Sequence, residues 1–234
     1  KSSFAKLLGL ALDGKTLPDG SLLSEALLNR DDTPQSHLFR EAWQKLTRLV
    51  NPMAVVFDIG AVFRNDEAIH KTVYREIQKR LGYSNHDQIA YFERLLEEEG
   101  HYERFLNMCQ DKFEFSWNEL KNKKIAPQRF STIYSEIYPE EYPDPMDWFD
   151  IHQSDSSGDA QSVQGAVKGL SEMLARRASG NTLFVIVDEM SQHVNIDDNK
   201  RLNLQTLVSE LGAKLEGRVW LLVTGQERLS DSEK

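Results

Sequence analysis

The chain has one cysteine, Cys109, in 234 residues, which excludes an internal disulfide and leaves a reduced thiol outside any metal-ligand spacing. No apolar run reaches the roughly 18 residues that a membrane-spanning helix needs. The amino end also lacks the basic, then apolar, then small-residue order of a secretory signal, so a cytoplasmic location and no membrane contact are expected. Basic residues are outnumbered: 28 Lys and Arg stand against 37 Asp and Glu, a formal net charge of −9. A broad nucleic-acid face needs clustered cations and is not expected here. None of the six histidines pairs with Cys or a carboxylate at a metal-ligand spacing, so no transition-metal site is expected. His193 reads as a polar loop residue beside an acidic pair.

The chain is rich in helical and strand periodicity. Phe4, Leu7, Leu8, Ala11 and Leu12 recur on one helical face, and Asp13-Gly14 stops them. Two helical stretches follow, around Leu22–Leu28 and Leu38–Val50, and then the apolar, β-branched run MAVVFDIGAVF, read as a buried strand. Ile69, Val73, Ile77 and Leu81 open a long helical region in which FERLLEEEGHYERF reads as solvated. YPEEYPDPMDW and HQSDSSGDAQS read as loops. A helix from Val163 follows, with Arg176 and Arg177 in its last turn, where cations suit the helix dipole. The final third gives TLFVIVDEM, a helix carrying Leu204, Leu207, Val208, Leu211 and Leu215, and RVWLLVTGQE. Continuous apolar strands joined through a helix predict a parallel sheet buried on both faces. Trp43, Trp117, Trp148 and Trp220 are expected in the core or an interface rather than as base-stacking platforms.

In an open parallel sheet, ligands bind beyond the carboxyl ends of the strands. Asp188 and Glu189 break an apolar run at such an end. That is the placement a nucleoside triphosphatase needs, with one carboxylate in the Mg2+ shell and a second orienting the attacking water. A solvated acidic turn would look the same. Lys1 and Ser2 stand immediately before the first amphipathic helix, where free amides and the dipole favour phosphate. A phosphate-binding loop, G-x-x-x-x-G-K-[ST], ends in this way, its lysine on the phosphates and its hydroxyl on the metal. Lys1-Ser2 is therefore expected to be the second half of such a loop, its glycines lying ahead of Lys1. Thr224 and Gln226 leave the next strand at the same sheet edge, placed to sense a γ-phosphate or position water. Asp58 reads as structural.

FVIVDEMSQHV followed by LNLQTLVSELGAKLEGRVWLLVTGQERL resembles the P-loop ATPases of bacterial BREX phage-defence systems, the BrxC/PglY family. Asp188, Glu189, Gln192, Leu204, Gln205, Thr206, Thr224, Gln226 and Glu227 follow that family's order, and KSSFAKLLGLAL resembles the end of its Walker A motif. The resemblance covers about a quarter of the chain. It implies an α/β, AAA+-like P-loop fold: a parallel sheet flanked by helices, with a long helical insertion. On that reading residues 1–63 hold the Walker A end and an early strand, 64–175 the insertion, and 176–234 the Walker B and sensor strands. It also implies ATP and Mg2+ as cofactors. Lys1, Ser2 and Ser3 would serve the phosphates, Ser2 and Asp188 the metal, Glu189 the water, and Thr224 or Gln226 the sensor role. Expected partners are other phage-defence proteins, with self-association and DNA contact through the complex left open. Two other readings share the pocket: a nucleotide-gated interaction switch with negligible hydrolysis, and a replication-initiator-like ATPase.

Overall fold

The computed structural model describes residues 2–64, 67–152, 159–194 and 197–225, and shows an α/β protein with a small parallel sheet flanked by helices. The chain divides into two compact units, one built from residues 1–77 and 178–234 and the other from 78–177. The helical insertion expected over 64–175 thus compares with a second unit over 78–177.

The first unit opens with α1 (Ser2–Leu12), α2 (Leu23–Arg30) and α3 (Ser36–Leu49), then strand β1 (Asn51–Asp58), a helical turn α4 (Ile59–Val62) and α5 (Ile69–Arg80). The strand expected to run on to Phe63 stops at Asp58. Its carboxylate accepts the Gly60 amide at 2.9 Å and caps α4, turning the IGAV segment into a helix.

The second unit contains α6 (Asp87–Glu98), α7 (Tyr102–Phe113), α8 (Trp117–Leu120), α9 (Ala126–Ile137), α10 (Asp147–His152), a 3-10 turn (Asp159–Gln161) and α11 (Val163–Arg177). Returning to the first unit, the chain forms β2 (Asn181–Asp188), α12 (Met190–Val194), α13 (Asp198–Leu215) and β3 (Val219–Val223).

The sheet has the order β1-β2-β3 with both pairings parallel, as the unbroken apolar strands predict. Register puts Asp58 beside Asp188 and Val187 beside Val223. The central strand is buried from Thr182 to Asp188. Trp220, expected in the core or an interface, is 55 % exposed on β3 and so lies outside the core.

Helix α1 lies on β1 and β2 by part of the apolar stripe its sequence suggests, Leu8, Ala11 and Leu12, together with the adjoining ridge of Gly9. Phe4 and Leu7 are exposed, and Gly9 meets the sheet. A β-carbon at Gly9 would sit 2.5 Å from Ile186 Cδ1 and press on Val56 Cγ2. Only a residue without a side chain allows so close an approach. One turn to either side, on the same ridge, Lys6 reaches the end of β2, and Asp13 Oδ1 accepts the Ala54 amide at 3.0 Å. Leu8, Leu12, Trp43 and Leu46 pack with Ala54, Phe184 and Leu222 beside this contact.

The second unit has its own core, in which Phe92, Phe105, Trp117, Phe130, Tyr134 and Trp148 form a continuous set of ring contacts. The acidic stretch expected to be solvated belongs to it. Glu93 is fully buried and accepts the Ser84 amide at 2.8 Å and the Trp117 indole at 2.7 Å, so its oxygens are satisfied away from water. Burial holds its carboxyl above the usual range. Arg177, expected to serve a helix dipole, is a structural clasp: it donates to Glu97 at 2.6 Å and to the Gly82 carbonyl at 2.7 Å, and stacks 3.5 Å from the Tyr83 ring centre. Cys109 is buried in this core, where desolvation pushes its thiol up to about 11 and makes it a poor nucleophile.

Candidate functional site

The three strands point their carboxyl ends the same way, so Asp58, Asp188 and Thr224 fall along one sheet edge. Each apolar strand ends where a polar residue enters, and there the backbone changes course. The β2–β3 pairing continues one step past the strands, with Thr224 N on the Val187 carbonyl and Met190 N on the Thr224 carbonyl, both at 2.9 Å. This fixes Thr224 against the turn after Asp188.

Asp188 is 2 % exposed, and both of its oxygens are engaged. Oδ2 meets Lys6 Nζ at 2.7 Å, while Oδ1 accepts from the Thr224 hydroxyl and, at 3.1 Å, from the Glu189 amide. A buried carboxylate needs such pairing, because desolvation of an isolated charge costs several kcal/mol, of order. The hydrogen bond to Asp188 in turn holds the Lys6 ammonium above its usual range. Glu189 follows with φ of 60°, a left-handed conformation that a non-glycine residue adopts at a cost. Its amide lies 3.4 Å from the Thr224 hydroxyl, so the strained turn and the strand tip share one hydrogen-bonded cluster.

The surrounding elements close on this edge. Phe63, after α4, has its ring 5.0 Å from that of His193 on α12 and 4.7 Å from Lys200 Nζ on α13. His193, read from sequence as a plain loop residue, is therefore a helical residue packed on an aromatic ring. Gly225 lies against α12 so closely that a β-carbon there would come 2.5 Å from Ser191 Cβ.

Of the residues expected to act together, Asp188, Glu189 and Thr224 are brought into contact. Ser3 is exposed in the first turn of α1. Lys1, Gln226 and Glu227, and the side chains of Ser2 and Gln192, lie outside the described residues. Lys6 is the functional candidate that sequence reasoning missed. Its signal was spacing: it stands three and four positions after Ser3 and Ser2, hence on their side of the helix.

A second stretch, Gly9-Leu10-Ala11-Leu12-Asp13-Gly14-Lys15-Thr16, spells the phosphate-loop pattern letter for letter. The fold excludes it. Gly9–Leu12 belong to α1, and the amides of Asp13, Gly14 and Lys15 are already bonded to the carbonyls of Gly9, Ala11 and Leu10. A phosphate cradle needs such amides unpaired and a helix directly after the Lys-Thr, whereas Thr16 here forms an isolated bridge with Leu22.

The cluster suits a magnesium–phosphate group chemically. A carboxylate and a hydroxyl are the hard oxygen ligands that Mg2+ takes, and an ammonium suits phosphate. Asp188 already faces one cation, that of Lys6. Among the described residues, no group of three or more His, Cys, Asp and Glu is arranged to hold a metal by protein ligands alone. Mg2+ in nucleotide sites usually keeps waters and uses one or two carboxylates with the phosphates, so such a group is not required. Among the same residues, no helix is long and apolar enough to cross a membrane.

No protein-family model matches the chain, and no solved structure matches it.

Proposed function

We propose that this chain carries the nucleotide-binding and hydrolysing core of a P-loop ATPase of the AAA+ or a related class, akin to the ATPases of BREX phage-defence systems. ATP binding and turnover would drive assembly or remodelling of a defence complex. One observation carries the nucleotide reading: α1, whose first turn holds Ser2 and Ser3, is held to the acidic tip of the central strand through Lys6 and Asp188. That pairing supports a reading in which phosphates at the start of α1 share a metal with Asp188.

On this reading Lys1, Ser2 and Ser3 hold the phosphates, and Ser2 and Asp188 hold the metal. Bound Mg·ATP supplies the electrophilic phosphoryl group. Glu189 orients the attacking water and accepts its proton, one step beyond the metal-facing carboxylate. Thr224 fixes Asp188 and the Glu189 amide and, with Gln226, reports the state of the γ-phosphate. Lys6 neutralises Asp188 from the helix side. Glu189→Gln in the full-length protein should retain ATP binding while steady-state phosphate release falls to background. Turnover undiminished in that variant would remove Glu189 from the mechanism.

A second reading is a nucleotide-gated interaction switch, favoured by the separate core of the 78–177 unit, which could serve a protein partner. Measurable ATP affinity with phosphate release at background in the wild-type protein would select it.

A further inference from the structure

The two partners of the Lys6–Asp188 pair differ in freedom. The Asp188 carboxylate ends a buried strand, and its Oδ1 accepts from both the Thr224 hydroxyl and the Glu189 amide, so it is fixed in place. Its Oδ2 meets Lys6 Nζ at 2.7 Å, yet the Lys6 side chain is 43 % exposed against 3 % for that of Asp188. An ammonium on a four-carbon stem can turn out to solvent without moving its helix, and the carboxylate cannot follow it. Asp58, beside Asp188 in register, and Glu189 add their charge at the ammonium. Lys6 therefore stands where the negative field of this sheet edge is concentrated.

We propose that Lys6 is a tethered counter-cation that a divalent metal ion must displace from Asp188 Oδ2, so that this lysine sets the metal affinity of the sheet edge; the proposal rests on the nucleotide reading above. The geometry favours exchange over sharing. Oδ1 already accepts two hydrogen bonds, the ordinary capacity of a carboxylate oxygen, so the metal contends for Oδ2. A metal ion bound about 2.1 Å from that oxygen could lie no more than about 5 Å from an ammonium still bonded to it, and the two cations would repel. A monovalent ion offers Asp188 no more charge than the ammonium and lacks its tether. Mg2+ or Mn2+ offers twice the charge and belongs to the class of ions that carboxylate, hydroxyl and water oxygens select. The released ammonium stays on the side of α1 that carries Ser3, where it suits a phosphate.

The test uses Mn2+, whose solution EPR signal is lost on binding, with the full-length protein as wild type, Lys6→Met, Lys6→Arg and Asp188→Asn. Lys200→Met is the charge control, since the Lys200 ammonium sits over the Phe63 ring at the same edge. Uptake is titrated without nucleotide, and melting midpoints are followed against Mn2+ with and without ATP. Lys6→Met should bind Mn2+ about tenfold or more tightly than the wild type, and Mn2+ should raise its midpoint further. Lys6→Arg, whose forked cation grips a carboxylate more firmly, should bind Mn2+ about threefold or more weakly than the wild type, and it carries the test should Lys6→Met not fold. Lys200→Met should stay within about twofold, because salt screens a charge that does not compete for the oxygen. Equal gains in Lys6→Met and Lys200→Met, or unchanged affinity in the folded Lys6 variants while Asp188→Asn loses Mn2+, would overturn the exchange and leave the metal site standing. Absence of any Asp188-dependent Mn2+ uptake in the wild type and Lys6→Met, with or without ATP, would overturn the exchange together with the metal half of the nucleotide reading.

Discussion

Lys6 on the first helix and Asp188 at the end of the central strand are joined across 2.7 Å, although almost the whole chain separates them in sequence. Asp188 is buried, so loss of the ammonium leaves a carboxylate without its cation. Lys6→Met should lower the melting temperature, and Asp188→Asn in the same background should recover part of the loss. Thermal melts of the four proteins decide this, and strictly additive effects would contradict the coupling. The sign with pH follows from the raised ammonium pKa. The stabilisation is fully present below the ordinary value of 10.5 and fades as pH rises through the higher folded value. Lys6→Met should lack that alkaline decline.

Thr224 tests the sensor role. Its hydroxyl donates to Asp188 Oδ1 and lies within reach of the Glu189 amide. Thr224→Val keeps the shape and removes the hydroxyl. If the proposed ATPase reading holds, the expected outcome is a fall in kcat of about tenfold or more with little change in ATP affinity, because on that reading the lost hydrogen bonds orient the groups that act on water rather than hold the ligand. Thr224→Ser should restore most of it. A change confined to KM would refute the role.

Two helical glycines should respond in opposite ways to the same substitution. Gly9→Ala drives a β-carbon into Ile186 and Val56, and overpacking of this kind costs about 1–3 kcal/mol. Gly212 in α13 has nothing within 4 Å of the equivalent position, so Gly212→Ala should stabilise the protein by about 0.4–1 kcal/mol. Urea denaturation of both variants measures the difference. Equal effects would mean that α1 does not approach the sheet as described.

Glu93 gives the second unit a pH dependence. Burial raises its carboxyl above the ordinary 4.5, against the opposing pull of the Ser84 amide, Arg177, the Trp117 indole and Lys121. A raised acid stabilises the fold most when protonated. Its contribution is complete below pH 4.5 and is lost as pH rises through the higher folded value. Thermal melts across that range should show the decline in the wild type and a flatter profile in Glu93→Gln, which keeps an acceptor for the Trp117 indole. An unchanged profile would show that Glu93 does not titrate as its burial implies.

The strands were legible because continuous apolar runs have few alternatives once flanking helices cover both faces, and the polar residues ending those runs marked Asp188 and Thr224. Helix α1 was legible as a helix but not in its orientation. Of its apolar stripe, Leu8, Ala11 and Leu12 pack inward while Phe4 and Leu7 are exposed, and close approach adds the ridge of Lys6, Gly9 and Asp13. Glu93 misled for a related reason. An acidic stretch reads as solvated until distant donors, here the Ser84 amide and the Trp117 indole, satisfy its carboxylate in the interior. The GLALDGKT stretch shows the converse, since a motif spells residue types and not whether their amides are already bonded in a helix.

The sequence by itself determined which segments are parallel strands and where the central one ends, because periodicity and apolar length act locally along the chain; the end of β1 at Asp58 was set by the cap on Gly60. The tertiary structure alone decided that Lys6 is the cation facing Asp188 and that Thr224 steadies it. Those choices depend on how near a helix can come to a sheet, and that distance is set where Gly9 leaves room against Val56 and Ile186.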